Sequence, residues 1–167
     1  MPLGLLSDCH RRIERFLETL VLTAERAAGG PLEEGARADL RAALAYFRHA
    51  APMHTADEEQ SLFPRLRAST HAEAVDAAAT LERLERDHDA ADEHHRAVDA
   101  LVQRWLADNR LVDADLAELG RRLAALQAIY GAHIAVEDRE LFPAAGRVLS
   151  PADLAAIGRE MAGRRRP

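Results

Sequence analysis

A chain of 167 residues is long enough for one domain with a sizeable core, and its 22 Lys and Arg against 28 Asp and Glu leave a net charge of −6, which argues against nucleic acid as a partner. No apolar run reaches the ~18 residues of a membrane span, and Met1-Pro2-Leu3 leads straight into an amphipathic stripe. Neither a membrane partner nor a signal peptide is expected, and the chain is expected to be cytoplasmic.

The first predicted helix carries Leu3, Leu6, His10, Ile13, Leu17, Leu20 and Ala24 in steps of three and four. Gly29-Gly30-Pro31 is a turn signal. The second stripe runs Leu40, Leu44, Phe47, Ala51, His54, Glu58 and Leu62. Pro52 lies inside this helix and is expected to bend it near His54, and Pro64 is expected to end or kink it. Residues 70–80 read as a separate short helix or as the start of the third. That third helix carries Leu81, Leu84, His88, Ala91, His95, Val98, Val102 and Trp105, and Asp108-Asn109-Arg110 follows as a turn. The fourth carries Leu116, Leu119, Leu123, Leu126, Tyr130, His133, Glu137 and Leu141, and Pro143 is expected to end or kink it. Ser150 as N-cap and Pro151 in the first turn predict a short terminal helix over about 151–163, closing one end. The expected architecture is all-α: a single domain over 1–167, an up-down-up-down four-helix bundle of two hairpins, about 3–68 and 70–148, plus the short fifth helix.

Within these stripes one motif occurs twice. His54-Thr-Ala-Asp-Glu58-Glu-Gln-Ser-Leu-Phe-Pro64 and His133-Ile-Ala-Val-Glu137-Asp-Arg-Glu-Leu-Phe-Pro143 both read HxxxExxxLFP. A helical spacing of four turns the chain by about 400° and stacks each His over its Glu, a ready pair of metal ligands. His10 and His88 precede these motifs by nearly equal intervals, with a turn near each midpoint. Two hairpins would therefore bring four imidazoles and two carboxylates to one level of an otherwise apolar seam. Buried carboxylates facing each other are costly unless paired or bound to metal, and a pair of metal ions resolves the conflict.

With these residues the chain resembles the hemerythrin-like, or HHE cation-binding, domain family, through His10 in CHRRIERFL, His54 and Glu58 in HTADEEQSLFP, His88 in LERDHDAAD, and His133 and Glu137 in HIAVEDRELFP. The resemblance implies a four-helix bundle holding two non-haem iron ions, oxo- or hydroxo-bridged. His10, His54, His88 and His133 would be terminal ligands, and Glu58 and Glu137 the bridges. Oxygen-carrying members have a fifth histidine from HxxxH on the third helix, and here Asp92 stands four after His88. They also have an aspartate five after the last histidine; Asp138 stands there, but the parallel with Glu58 favours Glu137 as the bridge and leaves Asp138 as a candidate supporting residue. Four protein donors per iron leave about two of six positions open, which favours redox reaction over carriage. Zinc competes well for such N/O sites.

Other polar residues have weaker claims. Tyr130 is one turn from His133 and is a candidate hydrogen-bonding group. His95 faces inward but lies ~10.5 Å along the axis from His88, too far for a ligand, and fits a supporting or proton-path role. Glu14 and Asp92 stand four after His10 and His88 and are candidate partners of those imidazoles; solvated charges on the helix flank are the alternative. Cys9 has no internal disulfide partner and reads as a buried thiol, with redox sensitivity as the alternative. Arg164-Arg165-Arg166 reads as a basic helix end. The leading functional expectation is binding or reaction of dioxygen, nitric oxide or peroxide in a redox or stress response, with an electron-donor protein as a partner and di-iron oxidoreductase activity left open. A sensor or iron-handling protein acting through a partner, and a zinc-binding or structural bundle, stay open as alternatives.

Overall fold

The computed structural model describes residues 1–166. Its helices are α1 (Pro2–Ala27), α2 (Glu34–His49), α3 (Ala51–Asp57), α4 (Phe63–Ala68), α5 (Ala72–Asp76), α6 (Ala78–Asp108), α7 (Asp113–Val136), α8 (Phe142–Val148) and α9 (Pro151–Arg164), with no strand among the described residues. Wide π-helical turns at Glu58–Leu62 and Glu137–Leu141 join α3 to α4 and α7 to α8. Four rods result: α1, α2 to α4, α6, and α7 to α8. Each packs on its neighbours in a ring, α1 on α2, α2 on α6, α6 on α7 and α7 on α1. No helix among the described residues is long and apolar enough to cross a membrane.

The two hairpin turns are tied to each other at one end of the bundle. Leu111 donates its N–H to Gly29 O at 2.8 Å, Leu32 N–H reaches Asn109 Oδ1 at 2.9 Å, and the fully buried Trp105 donates Nε1–H to Gly30 O at 2.8 Å. Gly29 has φ +73°, and a Cβ there would stand 3.1 Å from Leu111 O, so both conformation and space call for glycine. Ser150 and Asp153 cap α9 reciprocally, Ser150 Oγ accepting from Asp153 N–H at 3.1 Å and Asp153 Oδ2 accepting from Ser150 N–H at 3.2 Å. α9 lies against α1 and α3.

The proline expectations need correction. Neither Pro64 nor Pro143 ends its helix; each sits in the first turn of a helix that runs on to Ala68 or Val148. The wide turn before each proline absorbs the problem. A proline lacks an N–H and its ring collides with the carbonyl four residues back in a regular helix, whereas here Phe63 and Phe142 bond back five residues to Glu58 O and Glu137 O. The extra residue also brings Leu62 with Phe63, and Leu141 with Phe142, into the core together. Pro52 acts as expected: the second rod breaks at Ala50, and α3 starts with this proline in its first turn. Residues 72–76 form a short helix of their own, α5.

Two apolar clusters divide the core. One holds Ile13, Leu17, Leu44, Trp105 and Leu126; the other holds Leu6, Phe63, Leu84, Phe142, Ile157 and Met161. On α1, Leu6 belongs to one and Ile13 to the other. His10 lies between them, at the level of the remaining buried polar residues.

Candidate metal centre

Six side chains from the four rods meet in the belt between the apolar clusters. α1 supplies His10, α3 His54, α6 His88 and α7 His133, while Glu58 and Glu137 open the two wide turns. Donor atoms of His10, His54, Glu58 and Glu137 lie within 4.8 Å of one another, and so do those of His88, His133, Glu58 and Glu137. Both carboxylates thus belong to both sets. Glu58 directs Oε1 at His54 Nε2 (3.4 Å) and Oε2 at His88 Nε2 (3.3 Å). Glu137 Oε2 stands 3.0 Å from His10 Nε2 and 3.1 Å from His133 Nε2.

The donor set fits metal ions by its unmet demand. Among the described residues, the buried side-chain N and O atoms without a hydrogen-bond partner all belong to these six residues, and include every carboxylate oxygen of Glu58 and Glu137. Each such atom costs about 1–3 kcal/mol when left unsatisfied. Cations at the two positions would engage the carboxylate oxygens and the inward Nε2 atoms together, leaving Nδ1 of His54 and of His133 outside, and the cluster is therefore able to hold metal.

Carboxylates behind the imidazoles fix two of the rings, and they do so across the repeat. Asp138, next to Glu137 in the second half, lies 2.9 Å from Nδ1 of His10 in the first half; Glu59, next to Glu58 in the first half, lies 2.8 Å from Nδ1 of His88 in the second. Each acid can accept a proton from Nδ1, which would leave Nε2 free to face a metal ion. Ser7 Oγ–H and Arg11 hold Asp138 in turn, at 2.8 and 2.6 Å. Asp87 stands 3.5 Å from His133 Nδ1.

This arrangement accompanies a family match: residues 1–145 match the hemerythrin HHE cation-binding domain. The chain belongs to that family. It is also similar to an uncharacterized protein of Haemophilus influenzae, 27% identical over 164 residues, covering 98% of this chain and 90% of the relative. Within the hemerythrin-like bundle the candidates resolve as follows. Asp138 backs His10 from outside the cluster, and Glu137 lies inside it. Glu14 and Asp92 are not partners of His10 and His88: they pair with Arg11 and Arg96 at 2.9 and 3.0 Å and are exposed. Their spacing of four put them on the right turn, but the second wide turn brings Asp138 closer to His10 and the first brings Glu59 to His88. His95 and Tyr130 meet each other, Nε2 to OH, at 2.8 Å.

Sequence reasoning missed Glu59, although a signal for it exists. Each motif follows its Glu with a second acid, Glu58-Glu59 and Glu137-Asp138, so the pairing on one side could have been read from the other. It also missed Asp57. This carboxylate is fully buried, one residue before Glu58, and is gripped by Arg164 at 2.9 Å and Arg165 at 2.6 Å, while Arg164 also donates to Ser61 Oγ at 2.8 Å. The arginine run that read as a plain helix end is therefore clamped to the segment carrying His54 and Glu58.

The electrostatics of the cluster are uneven. Burial pushes the Glu58 carboxyl well above its ordinary range, and the Glu137 charge adds to this. Burial pushes Glu137 the same way, but the close imidazoles of His10 and His133 overcome it and hold this carboxyl well below that range. The two carboxyl groups are thus pushed in opposite directions, Glu58 toward its neutral form and Glu137 toward its charged form. Burial pulls His54 down to about 3 and His95 down to about 4; for His10, burial is outweighed by Glu137, and its pKa is raised.

A pH dependence follows for protein stripped with a chelator. His54 and His95 stay neutral in the fold while the unfolded chain takes up their protons below about 6.5. The stability they contribute is complete above that pH and is lost as pH falls toward 4. His10 and Glu58, both raised in the fold, contribute with the opposite sign. Replacing His95 with Leu in the stripped protein is therefore expected to flatten the fall of stability between pH 7 and 4 by an amount on the order of 2 kcal/mol, read from urea midpoints at each pH.

Proposed function

We propose that this protein holds two iron ions and uses them to react with a small diatomic molecule or peroxide. The observation that carries the reading is the pair of overlapping donor sets, each with two imidazoles and both sharing Glu58 and Glu137. His10, His54, His88 and His133 act as terminal ligands and the two glutamates as bridges. Four protein donors to each ion leave about two of six positions free. When bound, the iron pair supplies electrons and binding positions for a small oxidant. Zinc suits the same donors, so the identity of the metal belongs to this proposal.

The protein's own part is to orient, to charge-balance and to exclude water. Asp138 and Glu59 hold His10 and His88 with their Nε2 lone pairs toward the ions. With metal bound, Glu58 and Glu137 would both be ionised and would offset the cationic charge. The apolar clusters on either side keep bulk water from the belt, and a cavity of about 240 Å³ reaches the four histidines from the α3 and α6 side.

The test is to load the protein with iron, reduce it without oxygen, mix it with air and then remove the gas. The expected result is lasting oxidation, seen as near-ultraviolet absorbance that persists until reductant is added. Quantitative return to the colourless reduced state on removing the gas would show reversible carriage and overturn the redox reading.

A further inference from the structure

Two polar groups in the wall of that cavity take no part in the donor set. His95 of α6 and Tyr130 of α7 line it together with His10, His54, His88 and His133, and they join across it at 2.8 Å. Phe47 stacks on the His95 ring, centroids 4.1 Å apart at 27°, which fixes where Nε2 points. Burial keeps both groups uncharged, lowering His95 to about 4 and raising the Tyr130 phenol.

An imidazole and a phenol joined by one hydrogen bond leave one valence over. With the proton on Nε2, His95 donates to the Tyr130 oxygen and the phenolic O–H is free to donate elsewhere; in the other tautomer the phenol donates to Nε2 and its oxygen can accept. A volume of about 240 Å³ matches roughly eight water molecules of ~30 Å³ each, room for a small ligand. The charged residues lining it are Glu59, Asp89 and Asp92, with no Arg or Lys among the described residues. Such a mouth discourages anions.

We propose that Tyr130, aligned by His95, is the hydrogen-bonding group that fixes a small uncharged ligand beside the metal pair. This rests on the metal reading given above. Tyr130 touches the ligand; His95 is a positioning residue that acts through it. When the ligand presents an electron-rich terminal oxygen, the Nε2–H tautomer of His95 is selected and Tyr130 donates.

Nitric oxide on the reduced, iron-loaded protein is the probe, compared among wild type, Tyr130→Phe, His95→Leu and His95→Gln. Metal content is measured first. Tyr130→Phe is expected to retain the wild-type iron, to bind nitric oxide about 10-fold more weakly, as loss of one hydrogen bond implies, and to lose the shift of the N–O stretch between H₂O and D₂O. His95→Leu should weaken binding in the same direction, and His95→Gln, which can still hydrogen-bond to the phenol, should restore part of it. Normal iron content in Tyr130→Phe with unchanged affinity and an unchanged isotope shift would overturn the proposal alone. Wild-type protein that takes up no iron would overturn the metal reading and this proposal with it.

Discussion

Replacing Glu58 or Glu137 with Gln is expected to cost the protein at least one of its two metal ions. Each substitution keeps the shape of the side chain but removes a donor shared by both positions and half of the carboxylate charge facing the ions. The acids next to the two glutamates in sequence are committed elsewhere: Asp57 to two arginines, Glu59 to His88 and Asp138 to His10. Asp138→Asn makes a sharper comparison because it changes the neighbouring residue without touching the cluster. It loosens the hold on the His10 ring and should weaken metal affinity about 10-fold, with the stoichiometry preserved at saturating metal. Elemental analysis after desalting separates the cases. Loss of metal in Asp138→Asn with full retention in Glu137→Gln would mean that the acid five residues after His133 is the bridge.

The second large effect is expected far from the ligands in sequence. Changing both Arg164 and Arg165 to Ala strips a fully buried carboxylate of its two charged partners, 107 and 108 residues away along the chain. Breaking a buried pair on one side costs about 3–5 kcal/mol. Here the guanidinium groups keep some solvent contact, with side chains 21% and 38% exposed, so a loss of about 2–4 kcal/mol is expected. For a chain of this size that lowers the melting temperature of chelator-treated protein by roughly 4–16 °C. Adding Asp57→Asn to the double variant should recover much of the loss, because the stranded charge is what destabilises. An unchanged melting temperature in the double variant would show that Asp57 is solvated in solution and that the clamp contributes nothing.

The residues at the centre were legible because helical periodicity and the repeat act on the same positions. His10, His54, Glu58, His88, His133 and Glu137 fall in apolar stripes, so their inward placement required only that the stripes be helical. The supporting interactions were harder to read, for two physical reasons. The wide turns at Glu58 and Glu137 depart from a 3.6-residue period where a stripe analysis assumes it, which displaced Glu14 and Asp92 as partners in favour of Asp138 and Glu59. The Asp57 clamp joins segments with no common period, and nothing in an arginine run at a helix end names its acid. The LFP of each motif was visible, but its prolines were read by their ordinary effect on an α-helix. A wide turn before a proline was the unconsidered solution. His95 and Tyr130 were each noticed in the sequence, on different helices, without the register that joins them.

The central claim is that the duplicated histidines and glutamates bind a pair of metal ions. Its most direct test is metal stoichiometry: chelator-treated protein is titrated with ferrous iron at neutral pH under anaerobic conditions, desalted, and assayed for iron per chain. A plateau near two is expected, reached in wild type and lowered by Glu58→Gln or Glu137→Gln. A plateau near zero would contradict metal binding at this cluster, and a persistent plateau near one would contradict the shared, two-position arrangement.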